Sequence, residues 1–296
     1  MSDKFRVSIL ALFIIPLVAL SGGGGGTIGQ INDGVVDAIE DATAAIVAAS
    51  KTDYFVEVAR GNVAGQTELH KFGRNPDIDT GGFETIWNGG GSYTGHDATA
   101  AEIVEIFSSS ANDDVAGTGA LTLKVFGLDT DYLEINETVV LTGATPVDTV
   151  NMYIRLNRMK VLSAGSGGMN DGTLTARQKT TTANVFAVMP IGYNQTMIAA
   201  YTIPANKDGL TMTWFATLSG KTTSNCNVRI RIREFGEVFS VKEEIAIIAA
   251  GSSANQRSYK VPKDSLTPKA DIFIEADASA NNTAVSAGFD ILLIDQ

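Results

Sequence analysis

The stretch NVRIRIREF, Asn227 to Phe235, decides how this chain is read. Val228, Ile230 and Ile232 alternate strictly with Arg229, Arg231 and Arg233. Successive side chains of an extended strand point to opposite faces, so this spacing puts the aliphatic groups on one side and the guanidinium groups on the other. A helix would scatter both sets around its circumference. The segment is therefore expected to be a strand with its apolar face on a core. Its arginine face is expected to meet acids, in the same fold or on a neighbouring subunit, rather than an anionic ligand.

Segments of similar character recur along the chain. They are Asp53 to Arg60 (DYFVEVAR), Glu102 to Phe107, Leu121 to Phe126, Leu133 to Leu141, Met152 to Leu162, Thr173 to Arg177 and Val185 to Met189. They continue with Thr196 to Ile203, Leu210 to Leu218, Glu237 to Ile248, Asp271 to Ala276 and Ala287 to Ile294. Breakers such as Gly143–Ala144–Thr145–Pro146 and Gly165–Ser166–Gly167–Gly168 lie between them. Many short strands punctuated by turns indicate a mainly β chain, with one or two β-sandwich or jelly-roll-like domains. The stretch from Gly61 to Thr94 reads as a long glycine-rich loop, with Phe83 and Trp87 docking it onto a sheet. The polar run Gln178 to Thr182 is the expected boundary between a β domain over 52–180 and a C-terminal β-sandwich over 181–296.

An apolar segment and a short helix are expected to precede the β region. Val7 to Leu20 is apolar apart from Ser8 and is interrupted by Pro16; it follows Lys4 and Arg6 and is followed by the glycine hinge Gly22 to Gly26. A basic start, a short apolar run and a small-residue exit describe a signal peptide. The run is short for a membrane span, which needs about 20 residues. Three readings stay open for 1–26: a signal peptide, a membrane anchor, or a peg buried in an assembly through Ile9, Leu10, Leu12, Phe13, Ile14, Ile15 and Leu17. Over 27–51, Val35, Ile39, Ala42, Ile46 and Ala49 form a heptad-like stripe, either an amphipathic helix packed on its own domain or a self-association helix.

The chain has 296 residues, 22 basic and 33 acidic side chains, and a net charge of −11. An acidic chain is a poor partner for nucleic acid, whose phosphates call for clustered Lys and Arg. With 44% apolar residues it can fill a core, and Cys226 has no partner for a disulfide. That lone thiol fits a chain made in a reducing cytoplasm.

Motifs for chemistry are missing. The histidines, His70 and His96, stand in no metal spacing, and no P-loop, nucleotide-binding GxGxxG or GxSxG elbow is present. The acid pairs Asp77/Asp79, Asp113/Asp114 and Asp129/Asp131 do not match a calcium loop and read as solvated turn acids. No catalytic residue, metal ligand or cofactor is expected.

Several stretches together carry a family resemblance. They are FGRNPDIDTGGFETIWNGGGSYTG (Phe72 to Gly95), SANDDVAGTGALTLKVFGLDTDYLEINETVVLTGATPV (Ser110 to Val147) and VLSAGSGGMNDGTLTAR (Val161 to Arg177). FAVMPIGYNQTMIAAYTIPANK (Phe186 to Lys207) and SANNTAVSAGFDILLID (Ser279 to Asp295) continue the pattern. From Phe72 to Asp295 the chain resembles tailed-bacteriophage virion proteins of the structural, head-fibre-like or decoration-like kind. The resemblance implies a non-enzymatic virion component, made in the host cytoplasm. It would form a homo-oligomer, a trimer or higher, and contact other virion proteins such as the major capsid, portal or tail proteins. The alternatives are a tail, baseplate, receptor- or glycan-binding module, or an exported bacterial adhesin. Nucleic acid is not an expected partner, and membrane contact by the N-terminal segment is left open.

Overall fold

Strand pairing organises most of this chain. The computed structural model describes residues 34–43, 53–219, 224–248, 253–259, 261 and 265–296. The chain divides into two units, Met1–Val63 and Ala64–Gln296. The expected anchor residues Ile9, Leu10, Leu12, Phe13, Ile14, Ile15 and Leu17, the hinge Gly22 to Gly26, and Ile46 and Ala49 lie outside the described residues.

In the first unit two helices are described, α1 (34–43) and α2 (Tyr54–Ala59). The second replaces the strand expected over Asp53 to Arg60. Asp53 caps it, its carboxylate accepting the Phe55 N–H at 2.8 Å. Glu57 then takes Arg60 Nη1 at 3.0 Å and Asn62 Nδ2 at 2.5 Å. Tyr, Phe and Val favour strands only when a neighbouring strand offers them a surface. Here a side-chain cap and a helical ion pair close the turn locally instead.

The second unit holds the strands. In chain order they are β1 (Gln66–Ile78), β2 (Glu84–Thr85), β3 (Glu102–Ser108), β4 (Ala120–Leu128), β5 (Glu134–Val140), β6 (Val147–Tyr153), β7 (Arg155–Ala164), β8 (Leu174–Gln178) and β9 (Val185–Met189). Then come β10 (Ala200–Thr202), β11 (Lys207–Ser219), β12 (Cys226–Arg233), β13 (Ser240–Ile247), β14 (Ser253–Ser258), β15 (Ser265–Leu266), β16 (Asp271–Ala278) and β17 (Thr283–Asp295). Every pairing between them is antiparallel.

Two sandwich-like halves result. Sheets ordered β1-β17-β11-β14, with β15 on β11, and β10-β16-β12-β13, with β2 on β16, enclose one core. Trp214, Phe289 and Ile291 from the first sheet meet Val228, Ile230, Ile232 and Ile274 from the second. Strand β12 lies between β16 and β13, and its buried positions are Val228, Ile230 and Ile232. Full burial of such an aliphatic side chain stabilises by about 1.5–3 kcal/mol. The other half packs the sheet β6-β3-β8-β9 against β5-β4-β7 around Val104, Ile106, Leu123, Val125, Met159 and Phe186.

This partition differs from the expected division near residue 180. Gln178 to Thr182 joins β8 to β9, which pair with each other, so the polar run is a hairpin connection. The β3–β9 half is inserted between β2 and β10, and the first and last strands of the other half, β1 and β17, lie side by side.

The expected loop from Gly61 to Thr94 likewise contains β1, thirteen residues long. Its Gly73 marks a crossing rather than a turn. A Cβ there would lie 2.0 Å from the Ile86 carbonyl oxygen and 2.3 Å from the Ala199 nitrogen. Glycine is required because two other backbone segments press on it. The segment expected as one strand, Met152 to Leu162, is split at Ile154, with β6 and β7 joining different sheets.

Candidate functional site

The arginines of β12 find their partners on β16. In the antiparallel register Arg229 faces Glu275 and Arg233 faces Asp271. Arg229 Nε donates to Glu275 Oε1 at 2.5 Å, and Arg231 Nη1 reaches the same oxygen at 3.4 Å. The Phe83 ring lies 3.5 Å from the Arg229 guanidinium carbon, so Phe83 covers an ion pair. Trp87 is buried in the second core, bridges to Ile198, and donates its indole N–H to the Gly90 carbonyl at 2.9 Å.

Asp271 is the centre of the larger cluster. Arg233 Nε donates to its Oδ2 at 3.1 Å, with Arg233 Nη2 also on that oxygen. Arg155, from the first residue of β7, donates Nε and Nη2 to its two oxygens at 3.2 and 3.3 Å. Thr202 Oγ1 adds a bond at 2.5 Å. Arg155 Nη1 is taken by the carbonyls of Ala98 and Ile154 at 2.8 and 2.9 Å, so each nitrogen of this buried guanidinium is engaged. The cluster thus ties β16 of one half to β7 of the other.

Electrostatics set the charge states here. Burial opposes ionisation of Asp271. The neighbouring His96 and Arg155, with hydrogen bonds from Arg155 and Thr202, outweigh it and hold the carboxyl at about 2. Burial lowers His96 to about 4; Asp271 resists this, while Arg155, Arg233 and Lys71 assist it. At neutral pH Asp271 is therefore a carboxylate and His96 a neutral imidazole.

A cavity of about 430 Å³ opens beside the cluster, lined by Asp271, Arg155, Arg233, Tyr132, Phe235 and Lys269 among others. Tyr132 and Phe235 meet edge to face at 5.7 Å between centroids. The Lys269 ammonium lies 5.2 Å from the Tyr132 centroid and 5.0 Å from that of Phe235. Tyr132 and Lys269 have φ of 64° and 68°, and Gly236 has 83°. Left-handed backbone at a non-glycine residue costs on the order of 1 kcal/mol or more and persists only where the surroundings impose it. Here Tyr132 N–H bonds to the Asp129 carbonyl at 3.0 Å and Lys269 N–H to the Ile203 carbonyl at 2.9 Å.

A second cavity, of about 660 Å³, is lined by Lys71, His70, Phe126, Glu134, Arg158 and Tyr201 among others. Lys71 is buried and donates to the Asn157 carbonyl at 2.6 Å. Burial, with a smaller push from Arg158, lowers its amine to about 7. His70 Nδ1 and Asp290 Oδ1 are 2.6 Å apart at an exposed position.

The acid pairs stabilise loops. Asp113 is fully buried and accepts from Ser108 Oγ at 2.6 Å and from the N–H groups of Ala120, Asp171 and Gly172 at 2.7–2.8 Å. Asp129 Oδ1 accepts from the Asp131 and Leu133 N–H groups, and Asp79 Oδ1 from that of Asn282. Among the described residues no group of three His, Cys, Asp or Glu side chains could hold a metal ion, and no helix is long and apolar enough to cross a membrane. The Cys226 thiol is buried and pushed up to about 12, by burial first and then by Asp277.

Of the expected association stripe, α1 contains Val35, Ile39 and Ala42. Val35 and Ala42 are half-buried, while Ile39 keeps 47% and the adjoining Val36 51% of its surface exposed. Sequence reasoning missed Asp271, Tyr132 and Lys269. One signal was available for the acids: Asp271 and Glu275 repeat at the four-residue spacing of Arg229 and Arg233, which matches one face of two paired strands. Nothing in the sequence marks Tyr132 or Lys269 as neighbours.

No family model matches this chain, and no curated protein matches it. Among solved structures it is similar to that of infectious bursal disease virus Gt strain, at 9% identity over 82% of this chain and 78% of that chain, with a TM-score of 0.22. For the Gx strain of the same virus the identity is 8%, the shares are 78% and 81%, and the TM-score is 0.14. Both scores are too low to carry an argument about this chain.

Proposed function

We propose that this chain is a non-enzymatic structural protein of a bacteriophage virion, capsid-associated in the manner of a decoration or head-fibre protein. It associates with itself as a trimer or higher and attaches to other virion proteins through its N-terminal region. The observation that carries the reading is the use made of the buried charges. Asp271 and Arg155 are bonded across the joint between sheets, Glu275 is bonded to Arg229 within one sheet, and Asp113 is bonded into loop closure. Such a molecule is organised for rigidity, as a repeated building block requires. The exposed Val36 and Ile39 of α1 suit association between copies. The resemblance over Phe72 to Asp295 supports the same reading. So does the net charge of −11, which favours solubility and disfavours adhesion to packaged DNA.

The test uses purified particles and the isolated chain. Mass spectrometry of particles should recover the chain, and deletion of Met1 to Gly26 should leave a soluble protein that no longer joins them. Replacing Val35, Ile39 and Ile46 together with Asp should lower the oligomer mass in light scattering. Normal incorporation of the truncated chain would end the attachment reading, and an unchanged mass would end the association reading.

A further inference from the structure

We infer that the cavity beside Asp271 is a binding site for a neutral saccharide. The proposal stands independently of the virion reading, because it rests on the Ala64–Gln296 unit alone. Its size, about 430 Å³, falls within the roughly 300–1,000 Å³ of small-molecule sites.

Three features select the ligand class. The first is an aromatic corner. Phe235 is 59% exposed, which is costly for a phenyl ring in water, and Tyr132 meets it edge to face. The C–H face of a sugar ring is a suitable cover for such a corner.

The second is charge balance. Asp97, Glu237 and Asp271 line the cavity against Arg155, Arg233 and Lys269, and His96 is neutral at pH 7. Three carboxylates against three cations leave no net pull on a phosphate, sulfate or uronate. Arg155 in addition spends its guanidinium on Asp271 and two carbonyls. Asp97 and Glu237 are exposed acceptors, and Lys269 is a donor with no carboxylate within 4.0 Å among the described residues. Sugar hydroxyls both donate and accept, so a neutral polyol can use both kinds of group at once without placing a negative charge beside Asp97 and Glu237.

The third is backbone strain. Tyr132 and Lys269 come from two separate connections, β4 to β5 and β15 to β16. Both have positive φ at a non-glycine residue and both line this cavity. Strain gathered in one place from distant parts of a chain marks a site whose geometry is held for a purpose. Tyr132 also rests against Phe235, with the Lys269 ammonium near both rings, and a site assembled in advance lowers the entropy cost of binding.

The experiment is saturation-transfer NMR and calorimetry on the full chain. The neutral probes are glucose, galactose, N-acetylglucosamine and their β1,4-linked disaccharides; the anionic probes are glucuronate and inorganic phosphate. At least one neutral saccharide should bind with a Kd in the range of about 10 µM to 10 mM, ahead of both anions. Phe235→Ala should weaken it at least about 10-fold, with an unchanged circular dichroism spectrum because the ring is largely exposed. Tyr132→Gly removes the second ring while suiting the left-handed backbone, so it should stay folded and also lose binding. Saturation by no neutral probe, preference for glucuronate or phosphate, or full binding by folded Phe235→Ala would each overturn the assignment.

Discussion

Replacing Asp271 with Asn tests the buried ion cluster most directly. The substitution keeps the shape of the side chain and removes its charge, leaving Arg155 nearly enclosed, at 5% side-chain exposure, without its counter-ion. The magnitude follows from the carboxyl being held at about 2 instead of the ordinary 3.8. At about 1.4 kcal/mol for each pH unit, the ionised form is favoured by roughly 2.5 kcal/mol. Stranding a buried partner raises the expected loss towards about 3–5 kcal/mol. The sign is fixed by linkage. A carboxyl lowered in the fold stabilises fully above pH 4 and loses that contribution as the pH falls towards 2. Asn mimics the protonated acid, so wild type and Asp271→Asn should differ by at least about 2 kcal/mol at pH 7 and converge near pH 2. Urea unfolding followed by tryptophan fluorescence suits the measurement, because Trp214 reports on one core and Trp87 on the other. A loss below about 1 kcal/mol at pH 7, or a gap that does not narrow in acid, would refute the reasoning.

Three other outcomes follow from the same structure. Lys71 is lowered from 10.5 to about 7, so the unfolded chain holds that proton more tightly and stability should rise between pH 7 and 10; Lys71→Met should raise the melting temperature at pH 7 and flatten that rise, measured by thermal melts at both ends. Gly73→Ala forces a methyl group against two backbones and should cost about 3 kcal/mol or more, seen as a lower urea midpoint or as insoluble expression. Cys226, buried with its thiol pushed up to about 12, should resist a thiol-disulfide reagent in the native protein and react promptly in denaturant, and rapid native labelling would contradict its placement.

Legibility in the sequence follows how local each signal is. The alternation in Cys226–Arg233 survives as β12, and most of the other expected strands fall within a few residues of observed ones. Where the local signal conflicted with context, context prevailed. Among the described residues no strand pairs with the β-rich DYFVEVAR, so its Asp53 cap closes a helix instead. The turn-rich segment from Gly61 to Thr94 contains β1, since its glycine serves a crossing and its Pro76 falls in a register shift beside β17. The polar β14, SANQRS, carries no alternation and is a strand only because β11 lies next to it.

The sequence by itself determined the class, mainly β, the faces of its strands, and the acidic, disulfide-free character of the chain. Period and composition are properties of neighbouring residues and of sums, and both can be read along a line. The tertiary structure alone decided the insertion of β3–β9 into the other half and the pairing of β1 with β17. It also decided the meeting of Arg155, Arg233 and Asp271 and the gathering of Tyr132, Phe235 and Lys269 around one cavity. Arg155 and Asp271 stand 116 positions apart, and Arg233 and Asp271 38. Contacts at such separations depend on sheet order and register, which emerge only when all the strands compete together for partners.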